Sequence, residues 1–441
     1  MSPADGYRVG EPRVRPLWSS RLGALIGLRS THYIALGISG ILLLIIGRDQ
    51  WFIADDWSVL VFRLDGAAMA PHVGHWNLIP ALVFRVFRTV FGLGSYLPFL
   101  ALAIVAHLAV VTLVWRILLR VGVLPWLATL LGVLITFLGA GAEDILWAFQ
   151  FGFMGAVALA LLVMVLVDRE RLTCLTIVVI VVAAAIAPMF SGTAIPVLVA
   201  AGVVAIVRHP SWKTGLLFVP TAGLYVVWHF TAGTAFSGPP GGYPGLDDWK
   251  GFGAYTALMY VGGLGRLFPV LVLGAIPAVA VAVWFVLSVR RGVLGRALMA
   301  YALVVGSVVF ALLTAYSRLA LGLSGAAGQR YAYVTVLLLL PAIALLLDRS
   351  LGIAKPIRST VVVGLVLLVI GFNFTALVGQ ANLEALRELS SERRIDADLV
   401  ALIERPTAAT LLNTPTDPIW APDLLGSDLL ALYRAGRYPS P

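Results

Sequence analysis

The sequence predicts an all-α polytopic membrane protein, and three observations carry that prediction. Of 441 residues, 60% are hydrophobic and only 12% are charged, against about 25% charged in soluble domains. Apolar runs near the roughly 20 residues needed to cross a bilayer recur along the chain. The polar breaks between them alternate in charge. In lipid every backbone N–H and C=O needs an internal partner, which leaves helices or closed barrels. The runs are continuous, as in ALALLVMVLV before Asp168, and not alternating, so they read as helices.

Eleven spans are predicted, at about 32–47, 96–115, 124–140, 146–167, 172–188, 193–207, 214–231, 267–289, 297–316, 331–347 and 359–377. Residues 1–31 form a basic N-terminus, with Arg8, Arg13, Arg15, Arg21 and Arg29. The run after it reads as an uncleaved first helix, because no small-x-small cleavage site follows. With the N-terminus inside, each inner break is basic, as the positive-inside rule requires: Arg116 with Arg120, Arg169 with Arg171, Arg208 with Lys213, Arg290 with Arg291 and Arg296, and Arg349 with Lys355 and Arg358. The acids, which that rule does not use, agree. Of 31 Lys and Arg, 17 fall inside and 14 outside; of 22 Asp and Glu, 5 fall inside and 17 outside. The overall charge of +9 is therefore a mark of topology and excludes a nucleic-acid partner as its explanation. The single cysteine, Cys174, excludes an intramolecular disulfide and reads as a small buried hydrophobe.

Residues 77–93, NLIPALVFRVFRTVFGL, keep a 3.6 period in Ile79, Leu82, Val83, Val86, Phe87 and Val90, with Arg85 and Arg88 on the other face. That pattern predicts a helix lying in the membrane interface. A second short interfacial helix is expected over 55–65 in the same outer loop. Eleven spans place the C-terminus outside. Residues 32–378 then form the membrane domain. The tail, 379–441, holds an amphipathic helix and is too small for a large core of its own, so it is expected to dock on the outer face.

The first outer loop carries Asp55 and Asp56 between Trp51 and Trp57, then His72 and His75. Two adjacent carboxylates repel, which raises one pKa unless a cation intervenes. Such a pair supplies a general base for a hydroxyl or ligands for a divalent cation; the alternative is capping of the helix that begins there. Trp57 is an interfacial anchor or a substrate contact, and His72 and His75 are half a metal site or ordinary polar residues. The second outer loop carries another acid pair, Glu143 and Asp144, again just before a span. The third, PMFSGTAIP, is neutral and reads as structural. The fourth, about 232–266, is rich in Gly and Pro and reads as a mobile lid, with Asp247 and Asp248 as substrate contacts or a surface turn. The fifth ends in GQRYAY, where Arg330 can pair with a phosphate while Tyr331 and Tyr333 rim the membrane surface, or can snorkel to the headgroups. His107 is expected to be a hydrogen-bonded packing residue inside the membrane.

In order and sidedness these features resemble the GT-C superfamily of membrane glycosyltransferases, which use polyprenyl-phosphate sugars. The match rests on Asp55-Asp56 in a long first outer loop, the amphipathic 77–93 segment, Glu143-Asp144 in the next outer loop, and GQRYAY before an apolar run containing Pro341. It covers about 31–350 and lacks the large outer globular domain of some members. The resemblance implies transfer of a sugar from a polyprenyl-phosphate donor to a glycan, lipid or protein acceptor at the extracytoplasmic face of a bacterial cytoplasmic membrane. It implies inversion, with Asp55 or Asp56 as base and Arg330, with Tyr331, on the lipid phosphate. A divalent cation (Mg or Mn), held by Asp56, Glu143 or Asp144, is compatible with it and is not required. The rival readings are a transporter or flippase, which would place charges or broken helices at mid-membrane, and a non-catalytic envelope-assembly scaffold, in which the outer acids are dispensable.

Overall fold

In the computed structural model the described residues are 25–440, apart from 27, 62–68, 236–237, 239–241, 246–247, 292–294 and 354–355. The basic N-terminus up to residue 24, the end of the expected 55–65 helix, and seven residues of the expected lid, Asp247 among them, therefore lie outside them. The helices that matter below are α1 (Arg29–Ile46), α2 (Asp55–Leu60), α3 (Leu78–Phe91), α4 (Leu97–Arg120), α5 (Pro125–Thr136), α6 (Ala142–Leu146), α7 (Phe151–Val167), α8 (Cys174–Phe190), α9 (Ala194–Arg208), α10 (Val219–Thr231), α11 (Trp249–Gly265), α12 (Ala275–Arg290), α13 (Leu298–Arg318), α14 (Gln329–Ile353) and α15 (Pro356–Glu404). A two-stranded antiparallel hairpin, β1 (Pro415–Asp417) and β2 (Ala421–Leu425), and a last helix, α16 (Gly426–Arg434), close the chain.

Among the described residues, seven helices are long and apolar enough to cross a membrane, or eight if the bent pair α5–α6 is one span. Each of the eleven expected segments contains a helix. The three segments outside that count, α8, α9 and α10, have 17, 15 and 13 residues. At 1.5 Å per residue they reach about 20–26 Å, less than the roughly 30 Å of a hydrocarbon core. Two expectations fail: Cys174 is exposed at the start of α8 and not buried, and much of the fourth loop is helical, where α11 packs against α13 and α14.

The bend between α5 and α6 is 41°. It is held by Asn373 of α15, whose Oδ1 accepts from Ala140 N at 3.2 Å and whose Nδ2 donates to Leu267 O at 3.2 Å. The approach requires glycine at 139, where a Cβ would lie 2.4 Å from Asn373 O. Backbone groups freed at a break inside a bundle need such partners. His107 serves the same end. It lies 3.2 Å from Thr136 O at the end of α5 and 2.8 Å from Tyr333 Oη, the packing role expected of it.

The two ends of the bundle differ in charge. At one, Asp168 sits 2.9 Å from Arg208 and 3.6 Å from Arg120, so three of the basic breaks meet there. Helix α4 runs from Tyr96, at the other end, to Arg120; its 24 residues span about 36 Å. The acid pairs lie at the Tyr96 end.

Helix α3 has 14 residues, about 21 Å, too short to span. It buries Pro80, Ala81 and Phe84 and leaves Leu82, Val86 and Val90 exposed beside Arg85. The two arginines thus part company, contrary to the helical wheel. Arg88 turns inward and donates from Nη1 to Leu60 O at 2.7 Å, at the C-terminal end of α2, where the helix dipole favours a cation.

The 49-residue α15 is about 74 Å long, more than twice the hydrocarbon core, so its second half projects beyond it. That half, the hairpin and α16 dock on the first loop. Gln50 Nε2 donates to Ala381 O (2.8 Å), Trp51 N to Glu388 Oε2 (2.6 Å), Ala54 N to Trp420 O (2.6 Å) and Leu93 N to Arg437 O (2.8 Å).

Candidate functional site

Asp55 and Asp56 open α2, where the dipole favours negative charge. Successive helical positions point about 100° apart, and the two carboxyls part accordingly. Asp56 is fully buried. Its Oδ2 accepts from Ile53 N (3.2 Å), Tyr96 Oη (3.2 Å) and Trp147 Nε1 (3.0 Å), so it ties the first loop to α4 and to the second loop. Burial pushes its carboxyl up to about 8 against those three donors, with the charge of Asp55 adding to the rise. Asp55 is partly exposed and lines a cavity of about 100 Å³ at this end of the bundle.

Three loops and two helix ends supply the polar lining of that cavity. The first loop adds His72, His75 and Asn77 to Asp55, and the second adds Phe149. The third loop, expected to be merely structural, supplies Gly192 and Thr193. Here glycine is needed: a Cβ at 192 would lie 2.8 Å from His75 Nδ1. Arg318 from the end of α13, and Arg330 and Tyr331 from the start of α14, provide the cationic part.

His72 and His75 close a tight turn, each backbone N–H donating to the other's carbonyl at 2.9 Å. Residues paired directly opposite in this way project to one face, and both imidazoles face the cavity. His72 Nε2 lies 3.0 Å from Asp55 Oδ1. His75 is held down at about 4 by burial first, then by Arg318, His72 and Arg330, with Asp55 opposing, so it is a neutral imidazole at pH 7.

Arg330 pairs with Glu143 Oε1 through Nε at 3.0 Å and through Nη2, and its guanidinium lies over the Trp147 ring at 5.5 Å. The second acid pair therefore divides like the first. Glu143 neutralises the arginine, and Asp144 is buried with neither carboxyl oxygen hydrogen-bonded to a protein partner. Among the described residues no three His, Cys, Asp or Glu side chains gather as a cation site, so Asp56, Glu143 and Asp144 do not form one together. Trp57 is buried and donates to Phe52 O at 3.0 Å, a core role and not an interfacial or substrate-facing one. Asp248 caps α11, accepting from Gly251 N at 3.1 Å.

Sequence reasoning passed over Arg318, Asn77, Thr193 and Gly192. A signal existed for the first: an arginine closing a span on the acidic face runs against the positive-inside pattern. Compared with protein-family models, with curated proteins and with solved structures, the chain matches none.

Proposed function

We propose that the chain is a membrane glycosyltransferase of the GT-C type, moving a sugar from a polyprenyl-phosphate donor to an acceptor hydroxyl at the outer membrane face. The observation that carries this reading is a single cavity that brings the partly exposed carboxylate of Asp55 together with Arg318 and Arg330. A base for the acceptor and cations for a phosphate leaving group are the two requirements of the reaction. Asp55 takes the proton of the acceptor hydroxyl as its oxygen attacks the anomeric carbon. The C–O bond to phosphate breaks, the electron pair leaves on polyprenyl phosphate, and configuration inverts. Arg330 already answers to Glu143, so Arg318, for which no carboxylate partner occurs among the described residues, carries more of the leaving charge. Eleven spans, with the N-terminus inside and the C-terminus and cavity outside, complete the proposed topology.

The test is release of polyprenyl phosphate from a panel of polyprenyl-phosphate pentoses and hexoses by purified protein. Losing a hydrogen bond to a charged group costs about 1.5–3 kcal/mol. Arg318→Ala should therefore raise the donor KM roughly 10- to 100-fold, and Arg330→Ala should raise it less. Unchanged donor dependence in both variants removes them from the phosphate role. The broken pair α5–α6 and the buried His107–Tyr333 contact favour transport as a second reading. It predicts that proteoliposomes move a lipid-linked sugar between leaflets without releasing polyprenyl phosphate.

A further inference from the structure

The tail meets the first outer loop at the residue before Asp55. That residue, Ala54, has φ 44° and ψ −112°. A positive φ is uncommon outside glycine, and this ψ lies outside even the small left-handed region open to other residues. Such a conformation persists only where its surroundings over-determine it. At Ala54 both backbone groups are taken. Its carbonyl accepts from Trp57 N (3.1 Å) and Ser58 N (3.3 Å) in the first turn of α2, and its N–H donates to Trp420 O at 2.6 Å. Trp420 belongs to the turn between β1 and β2, which is itself closed by a side chain. Asp417, fully buried, accepts at Oδ1 from Ile419 N (3.0 Å) and Trp420 N (3.2 Å). Pro418, next in the chain, locks its own φ near −65°.

We propose that the Asp417–Trp420 turn of the tail is the positioning element for Asp55. The turn presents Trp420 O to Ala54 N, and Ala54 sets the direction in which α2 starts. That direction decides which aspartate faces the cavity. The two carboxyls stand one position apart, about 100° around the helix, so a rotation of α2 by that amount would exchange them. The three donors to Asp56 hold α2 from the bundle side, and Trp420 O holds its start from the tail side. Asp417 lies outside the cavity lining and acts through Trp420 and Ala54. The catalytic role of this turn rests on the transferase reading, but its hold on α2 does not, and the two can be tested apart.

The hold is read by amide hydrogen exchange of the segment containing Ala54, in the full-length protein in lipid nanodiscs. Asp417→Ala removes the acceptor of two N–H groups that shape the turn, so exchange at that segment should speed up roughly tenfold or more. Asp417→Asn keeps an acceptor oxygen and should stay within about threefold of wild type. Pro418→Gly frees the turn at an exposed position, where folding is spared, and should speed exchange by less. Unchanged exchange in Asp417→Ala, or in Pro418→Gly if the first does not fold, overturns the proposal. In the transfer assay Asp417→Ala should lower kcat roughly fivefold or more with the donor KM within about twofold, because a reacting group is misplaced while the phosphate cations stay. Asp417→Asn should recover most of the rate. A lower melting temperature with kcat unchanged would mark the turn as structural only and overturn the proposal. Absence of transfer by wild type from every donor, with the exchange results as expected, would remove the transferase reading and the catalytic role with it, and leave the tail as a clamp on α2.

Discussion

At the scale of single residues, the adjacent aspartates differ because a helix turns them to different surroundings. Asp56 faces three donors inside the protein, and Asp55 faces the cavity. Asp56→Ala would leave Ile53 N, Tyr96 Oη and Trp147 Nε1 without their acceptor. Each such loss costs roughly 1–3 kcal/mol, so the melting temperature in detergent should drop by several degrees. Asp56→Asn keeps an acceptor oxygen and replaces a carboxyl that burial holds up at about 8, so it should melt close to wild type at pH 7. Equal destabilisation by both variants would contradict the assigned role. The pair Asp-Asp stood out in the sequence as a candidate site. Which aspartate turns inward was not, because that depends on Tyr96 and Trp147, 40 and 91 positions away.

Among the elements, the docked tail matters most. Glu388 of α15 is almost fully buried, accepts from Trp51 N at 2.6 Å, and lies within electrostatic reach of Asp56. Burial, with Asp56 and Glu384 adding, pushes it up to about 8 from 4.5. Between these values the native state keeps a proton that the unfolded chain has released. The Glu388 contribution to stability is therefore greatest below pH 4.5, declines as pH rises through that window, and levels off above about 8. Glu388→Gln keeps the acceptor for Trp51 N and removes the titration. Melting curves at pH 5, 7 and 8.5 should show a growing advantage of the variant over wild type. His75, held down at about 4, acts in the opposite direction in both proteins and cancels in the comparison. A constant difference across pH would contradict the account. Helix α3 and the second half of α15 were legible as helices from their 3.6-residue period, and the first half of α15 from its continuous apolar run; that the two halves form one helix was not legible. The inward turn of Arg88 was not either, because its acceptor, Leu60 O, lies 28 positions away in the chain. The helix α11 was hidden for another reason: Gly251, Gly253, Gly262, Gly263 and Gly265 read as loop, whereas Gly262 and Gly263 sit close against Ala327 and Ala332.

On the scale of the whole molecule, composition and charge made the membrane class legible, since both follow directly from the absence of water in the bilayer core. The cavity was legible only in part. Asp55, His72, His75, Arg330 and Tyr331 meet there as the acidic and basic loops suggested, while Arg318, Thr193 and Gly192 are joined to them by the packing of α9, α13 and α14. The fold thus brings a carboxylate and cations from distant loops to one end of the bundle and sets Asp56 behind them as support. The most direct test of that division is release of polyprenyl phosphate from lipid-linked sugar by purified wild type, Asp55→Asn and Asp56→Asn. Loss of a general base costs about 10²–10⁴ in rate. Wild type should release polyprenyl phosphate from at least one donor, Asp55→Asn should fall at least a hundredfold with its melting temperature unchanged, and Asp56→Asn should stay within a fewfold of wild type. Full activity in Asp55→Asn would contradict the account.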